Sequence, residues 1–530
     1  MAIEKLETDS KYGHTKRGLK SRHVQLMAIG SSVGTGLFVG IGASLSRAGP
    51  LSVFLAYTLY SCFFIWPVNM AVAELVTFLP IRRGIFEFGN RYIDPAVGFA
   101  FGWAYFYAAA MLFCTELSSV ATVMGYWDTT TNAVVWIAMA LVVCLLLNIF
   151  AVKYYGESEF IFSSTKALLI IGLVLLTFIT MVGGNPKHDA YGFRHWKHGN
   201  AMHEYYATGA LGRFLGWWTC MRYAAFSVGG PDVIALSAGE IIDPRHTIPR
   251  MAQLVFYRVC GFYIVGVLAV GIICSSRDGR LLGALDSGSV GSAASPWVIG
   301  ITNLGIDGLA GFINFLILTS GWSCGNAFLY TSSRTLYALA LEGQAPKFLR
   351  KCTRSGIPIY CVLAVALIGC VTFMVSSTTS ATVFEWFIGL STCAILIVYI
   401  LMMVIWVGFY NSLKAQGLSR DRLPWKAPLM PYGCYVGIAL GLLLLIFLGF
   451  DVFVPWDTQG FVTTYFGIAY VAVLFLFWKG YKRTRFVDFK EVDIFAGKAE
   501  IDEECRVWDE EPADRKIEGS FIKRCWERIW

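Results

Sequence analysis

The sequence predicts an all-α polytopic membrane protein, and three observations carry that expectation. Of 530 residues, 56% are hydrophobic and 15% are Asp, Glu, Lys or Arg, where an ordinary soluble domain has about a quarter of its residues charged. The mean hydropathy is +0.58. The apolar residues also gather in stretches of about 20, the length a helix needs to cross the hydrocarbon core. A soluble chain of this size would need far more charge to cover its surface, and a disordered one needs low hydrophobicity and high charge. Length and apolar excess exclude a small disulfide-stapled secreted module.

Hydropathy gives twelve candidate spans, at about 24–47, 51–78, 95–126, 134–152, 157–182, 217–240, 252–275, 309–338, 358–376, 383–409, 431–453 and 462–481. Lys and Arg in alternate loops set the orientation. One side carries Arg82, Arg83, Arg91, Lys153, Arg245, Arg250, Arg258, Arg334, Lys347, Arg350, Lys351, Arg354, Lys414, Arg420, Arg422 and Lys426. The other carries Arg47, Lys187, Arg194, Lys197, Arg213, Arg277 and Arg280, mostly in two long loops where the rule is weak. The first side is therefore cytoplasmic, with both termini, and the net charge of +7 reads as topology and not as a nucleic-acid surface. Residues 1–23 are polar and lack an apolar core with a cleavage site, so the first span is expected to direct insertion. The fourteen cysteines form no CxxC pair or Cys/His cluster; most sit inside spans and read as packing residues. No metal and no cofactor is expected.

The long outer loops are 183–216 and 276–308. His188, His195, His198 and His203 fit no metal template and read as solvated. The tail from 486 mixes both signs and is expected to be loosely ordered.

Two spans are interrupted. The first contains Gly30-Ser31-Ser32-Val33-Gly34-Thr35-Gly36, the sixth Phe226-Ser227-Val228-Gly229-Gly230-Pro231-Asp232. Gly costs about 1 kcal/mol in a helix interior and Pro about 3. Unwound backbone at membrane depth must find partners in protein or line a cavity. A small-xxx-small packing face would explain Gly30–Gly34 and Gly36–Gly40 but not Gly-Gly-Pro-Asp. Each interrupted span opens a block of five, and such pairing points to the ligand site of an inverted-repeat transporter. The start of a half-helix offers N–H groups and positive dipole to a carboxylate, and the end of its partner offers carbonyls to an ammonium. A zwitterionic amino acid carries both groups. The expected carboxylate donors are the N–H groups of Gly34, Thr35 and Gly36. The expected ammonium acceptors are the carbonyls of Ser32 or Val33 and of Ala225 or Phe226, next to Ser227.

Val33-Gly34-Thr35-Gly36-Leu37-Phe38 resembles the first-helix signature of APC-superfamily amino acid permeases. So do Ala238-Gly239-Glu240 with Asp243-Pro244-Arg245 and Ile248-Pro249-Arg250, and Ser333-Arg334-Thr335-Leu336-Tyr337-Ala338 running into Glu342-Gly343-Gln344-Ala345-Pro346. In order and spacing, residues 20 to 495 resemble the fungal amino acid permeases. The resemblance implies a LeuT-like fold of 12 transmembrane helices, a 5+5 inverted repeat plus two. The organisation is then a cytoplasmic N-tail (1–23), a first repeat (24–182), an extracellular loop (183–216), a second repeat (217–409), two last helices (431–481) and a cytoplasmic C-tail (482–530). It also implies proton-coupled amino acid uptake at the plasma membrane. Three places depart from the family pattern: Gly230-Pro231-Asp232 for Gly-Thr-Glu, Arg82-Arg83-Gly84 for a Ser-Gly-Ser turn, and Ser31-Ser32 for a glycine pair. Some proline-preferring permeases have Gly-Pro-Glu at the first, which tilts the expectation toward proline or small neutral amino acids.

Ionisable residues inside spans are functional candidates. Glu116 is a candidate for substrate binding and proton coupling, against a structural bond to a broken helix. By resemblance Lys166 holds the place of a coupling sodium ion and serves proton coupling; snorkelling is the alternative. Glu240 is a candidate inner gate, Phe226 by resemblance an outer lid, and Glu74 reads as structural. Expected partners are the substrate, protons, the lipid bilayer and ubiquitin-ligase adaptors at the cytoplasmic tails, where Lys5, Lys11 and Lys16 are candidate acceptors, as any cytoplasmic lysine is; nucleic acid is not. Cys525-Trp526 is a candidate acylation site. The competing functions are a same-fold transporter of a polyamine, choline or nucleobase-like solute, or an amino acid sensor. No P-loop supports an enzyme.

Overall fold

The computed structural model describes residues 21–81, 85–128, 130–150, 155–197, 199–239, 241–286, 295–353 and 356–509. Of the residues singled out above, Lys5, Lys11, Lys16, Arg82, Arg83, Gly84, Lys153, His198, Glu240, Arg354, Cys525 and Trp526 lie outside this set.

Within it the chain is helical, with one isolated bridge between Phe453 and Trp456 and no named strand. α1 is Ser21–Ser32; a π-helical turn, Gly36–Gly40, leads into α2, Ile41–Ala48. α3 (Pro50–Tyr60) and α4 (Trp66–Phe78) are joined by a second π turn, and α5 is Phe86–Tyr92. Then come α6 (Pro95–Met124), α7 (Ala133–Phe150) and α8 (Tyr155–Met181). α9 (Gly209–Ser227) and α10 (Pro231–Ser237) form the second interrupted pair, followed by α11 (Pro244–Ile273), α12 (Gly279–Asp286) and α13 (Pro296–Asn303). α14 (Asp307–Leu341), α15 (Ile359–Gly369), α16 (Ser380–Ala415), α17 (Tyr432–Ile446), α18 (Thr458–Lys482) and α19 (Lys498–Asp509) complete the chain.

Among the described residues nine helical segments are long and apolar enough to span a membrane, and a tenth, Ala133–Ile149, is shorter. The first and sixth expected spans are absent from that set because each is cut where its Gly or Gly-Pro cluster falls. α9 starts at Gly209 and not at 217: its glycine-spaced first two turns read as loop in the sequence. Start signals are visible where side chains cap. Asp94 accepts the Ala96 N–H at 2.7 Å with Pro95 in the first turn of α6, and Thr379 and Asp457 cap α16 and α18.

α6 and α16 form the centre: 78% and 83% of their most apolar windows are buried in protein, against 11% for α18, which lies at the periphery. α6 packs along α14 and α16, while α8 packs against α1, α11 and α14. Glu74, fully buried in α4, takes a two-pronged bond from Arg420 (3.0 and 2.6 Å) and the Ala427 N–H at 2.8 Å. Its structural reading stands.

Two expectations are corrected. His203 is 5% exposed, not solvated: its ring meets Ser276 Oγ at 2.7 Å and Arg277 at 3.1 Å. The tail from 486 is not loose up to residue 509. The Val487 N–H donates to Ile93 O, Gln416 donates to the carbonyls of Phe489 and Val492, and Arg91 donates to Ala496 O. Val492 and Ile494 are buried, and Asp502 of α19 pairs with Arg245 and Lys498. Apolar residues spaced among charges gave no periodic signal, yet they are what fastens this strap.

Candidate functional site

A helix that stops inside the molecule leaves its last carbonyls without intrahelical partners. Where α1 ends, the Ile29 carbonyl accepts from Val33 N at 2.9 Å, and the next four carbonyls are met from other helices. Lys166 Nζ of α8 donates to Gly30 O at 2.5 Å, Cys324 Sγ of α14 to Ser31 O at 3.1 Å, Tyr263 Oη of α11 to Ser32 O at 2.6 Å, and Ser320 Oγ of α14 to Val33 O at 3.1 Å. Beyond the break the need reverses, because the restarting helix presents N–H groups. Glu116 of α6, 4% exposed, answers it: its carboxylate accepts the Thr35 N–H at 3.3 Å and the Thr35 hydroxyl at 2.9 Å. An anion there also suits the dipole of the helix it starts. The approach is close enough that Gly34 has no room for a Cβ, which would run into Glu116 and lie 2.9 Å from Cys324 Sγ.

The second break is built alike. α9 ends at Ser227, and Gly230 takes φ 122°, which an L side chain rarely adopts. Of the last four carbonyls of α9, Ala224 O accepts from Val228 N at 2.9 Å and Ser227 O from Tyr263 Oη at 2.5 Å. Those of Ala225 and Phe226 have no partner among the described residues. One tyrosine hydroxyl, whose single proton is shared between Ser32 O and Ser227 O, thus ties the two breaks together. Past the second break, Asp232 in the first turn of α10 is held by Tyr105 Oη (2.9 Å) and Tyr399 Oη (3.0 Å).

Between the breaks lies a cavity of about 40 Å³, bounded by Ser32, Gly34, Gly36, Glu116, Ala225, Phe226 and Ser227 among others, with room for about three waters. Leu112, Phe328 and Ile395 give it an apolar wall. The Ser32 hydroxyl at its edge is buried without a partner. Phe226 is 8% exposed and meets Phe384 edge-on at 6.5 Å. On the α2–α9 side of the breaks, Arg47 donates to Tyr223 Oη at 2.6 Å and Tyr223 donates to Glu385 at 2.9 Å.

The structure therefore brings seven of the expected binding residues to one cavity. It leaves Val33 and Thr35 off the wall, their carbonyl and N–H respectively engaged by Ser320 and Glu116. The Gly34 N–H is turned to Ser32 O at 3.1 Å. Lys166 is 2% exposed and bonded to Gly30, so it does not snorkel. Sequence reasoning missed Tyr263, Tyr399, Tyr105, Ser320 and Cys324, whose positions in apolar runs carry no signal. It also missed Glu159, 3% exposed near the start of α8, where a carboxylate reads as the polar end of a span. Among the described residues no cluster of His, Cys, Asp and Glu is placed to hold a metal.

Residues 23–491 match the amino acid permease family. The chain belongs to that family. This permease is 40% identical to a proline-specific permease of Emericella nidulans, over 97% of the chain and 93% of the relative. It is 41% identical to a probable proline-specific permease of Schizosaccharomyces pombe, over 95% and 92%. It is 35% identical to a lysine-specific permease of Saccharomyces cerevisiae, over 98% and 82%. Members of the family are transporters, so the permease is an amino acid transporter of the membrane and not an enzyme.

Proposed function

We propose that this permease takes up proline and small neutral amino acids across the plasma membrane, coupled to protons, by alternating access. The observation that carries the substrate is the carbonyl accounting at the second break. Two acceptors, those of Ala225 and Phe226, are unpartnered beside the cavity, and the secondary ammonium of proline has two N–H groups. The pyrrolidine ring fits the wall of Leu112, Phe328 and Ile395, and Phe226 acts as the lid. The carboxylate belongs at the start of the second half of the first span, on Gly36 and on the Gly34 and Thr35 N–H groups once they are released. Two of the relatives above are named as proline-specific. The nine long spans, the short one and the two interrupted segments among the described residues support a reading as twelve crossings in a LeuT-like 5+5 repeat with two further helices, and the loop charges support cytoplasmic termini.

Proton coupling is supported by Lys166. A fixed cation bonded to the broken first span repels a metal ion at that point and changes its interactions when it loses a proton. Glu116, the other candidate, has its carboxylate oxygens on Thr35 and is not open as a cation site, which argues against the polyamine alternative. The test is uptake of a radiolabelled amino acid panel in permease-deficient yeast, with and without a protonophore, at varied sodium. Proline uptake that rises with external acidity and collapses with the protonophore is expected. Uptake that follows sodium and ignores the protonophore, or a panel without proline, would overturn the corresponding half.

A further inference from the structure

Glu159 lies one full two-turn step before Lys166 on α8, so both side chains share a face. That face packs on α1 at Gly30. The Gly30 carbonyl accepts from Lys166, and the same glycine has no room for a Cβ, which would run into Glu159 Oε1 and Ser163 Oγ. Ser163, fully buried, bridges the interval and donates to Glu159 Oε1 at 3.4 Å. Glu159 is 3% exposed, and its Oε2 is buried without a well-formed hydrogen bond, with only Ser323 beside it. A carboxylate buried at the start of a span and so weakly satisfied is costly and marks a working group.

We propose that Glu159 is the proton carrier between Lys166 and the cytoplasm. The inference rests on the proton-coupled reading above. By the charge count α8 starts at the cytoplasmic side, so Glu159 stands between Lys166 and the inner solution. Among the described side chains the groups facing it are few. On α8 they are Ser163 and Lys166; on α14, Ser323 beside it and the Cys324 thiol one residue on. On α11, Arg258 is engaged by Gln25 Oε1 of α1 and Tyr263 by the two breaks. Lys166 is thus the one cation α8 itself sets against Glu159.

The step balances simply. When the inner end opens, the proton of the Lys166 ammonium passes through the Ser163 hydroxyl and entering water to the Glu159 carboxylate. This leaves a neutral amine and a neutral acid. Glu159 then releases the proton to cytoplasmic water and returns to carboxylate, and Lys166 is reprotonated from outside with the next substrate. A carboxylate poised on the inner side makes release of the proton independent of direct contact between Lys166 and bulk water.

The test uses the full chain reconstituted in liposomes with radiolabelled proline. Two readouts are compared: accumulation driven by an imposed pH gradient, acid outside, and counterflow exchange at equal pH, which needs alternating access but no net proton release. Glu159→Gln should lose about tenfold or more of gradient-driven accumulation while counterflow stays within about twofold of wild type. Accumulation equal to wild type overturns the proposal, and so does equal loss of both readouts at normal reconstitution, which would make Glu159 a positioning residue. Should the amide variant fail to reconstitute, Glu159→Asp carries the test. It should shift the pH profile of accumulation, whereas a lower rate with an unchanged profile overturns the assignment. Wild-type protein that exchanges proline but ignores the pH gradient would instead show that the proton-coupled reading itself has failed, and the carrier with it.

Discussion

Glu116 and Thr35, 81 positions apart in the chain, form the joint at which the first span restarts. The carboxylate takes both the amide and the hydroxyl of one residue. It therefore does for a buried half-helix what an N-cap side chain does at an exposed one. The same carboxylate borders the cavity. On the proposed site, substrate arriving on the neighbouring N–H groups must disturb this bond.

From that follows the expectation for Glu116→Gln. An amide oxygen can keep one of the two bonds, so the protein should fold and reach the surface. The lost charge-assisted bond is worth about 1.5–3 kcal/mol, so substrate affinity or the pH profile should change by about tenfold or more. Surface abundance measured beside uptake decides it. Normal abundance with unchanged kinetics and pH profile would leave the residue purely structural.

Gly36 faces the other broken helix across the cavity. A Cβ there would lie 2.7 Å from Ser227 Oγ and 3.1 Å from Phe226 Cε1. Gly36→Val should therefore abolish uptake by wedging the two breaks apart. Phe226→Leu keeps every main-chain contact and should weaken retention while leaving measurable binding. Competition by proline amide checks the polarity of the site: an analogue lacking the carboxylate that competes as well as proline would move the carboxylate away from this glycine.

The Glu74–Arg420 pair gives a stability prediction. Both partners are buried or nearly so, and breaking such a pair by removing one side costs about 3–5 kcal/mol because the other charge is left uncompensated. Glu74→Gln should sharply lower abundance and melting temperature. Adding Arg420→Gln should recover part of the loss, and a double variant as poor as the sum of the singles would show that the two do not act together.

His203 gives a pH dependence. Burial, with the Arg277 guanidinium beside it, holds its pKa down at about 4 from an ordinary value of 6.5. The docked loop thus keeps a neutral ring while the undocked loop takes a proton as pH falls below about 6.5. Docking is fully present above that pH and weakens progressively toward 4. Hydrogen exchange in residues 199–208 should rise across that window in wild type and stay level in His203→Gln. Equal pH dependence in both would assign the effect to another group.

The breaks were legible because Gly and Pro leave a physical mark: no apolar span tolerates Gly-Gly-Pro-Asp without a reason. What fills the breaks was not legible. Tyr263 sits in Gly261-Phe262-Tyr263-Ile264-Val265 and Ser320 in Leu318-Thr319-Ser320-Gly321, where neither pattern nor charge separates a partner of the backbone from a packing residue. Glu159 drew no notice in the sequence because its burial depends on what α1 lays across it. Val492 and Ile494 looked like part of a charged tail because their partners, Gln416 and the α5–α6 corner, are distant in sequence. Local propensity marks where a chain is interrupted; the partners are tertiary.

Tyr263 offers the sharpest test of how the substrate is chosen. Its hydroxyl lies 2.6 Å from Ser32 O and 2.5 Å from Ser227 O, and both residues border the cavity. Tyr263→Phe keeps the ring and removes the one hydroxyl proton that these two carbonyls share; Ser32 O keeps the Gly34 N–H, while Ser227 O is left without a partner among the described residues. A buried carbonyl left without a partner costs about 1–3 kcal/mol, so the purified variant should melt a few degrees lower. The same change frees an acceptor, Ser227 O, beside those of Ala225 and Phe226. A primary ammonium has three N–H groups and gains from a third acceptor, whereas the secondary ammonium of proline is already matched by two. Alanine should therefore improve relative to proline in competition assays, by about tenfold if one full hydrogen bond is gained. A variant that loses stability but keeps the wild-type order of proline over alanine would show that carbonyl count does not set the preference, and the apolar wall of Leu112, Phe328 and Ile395 would take that role.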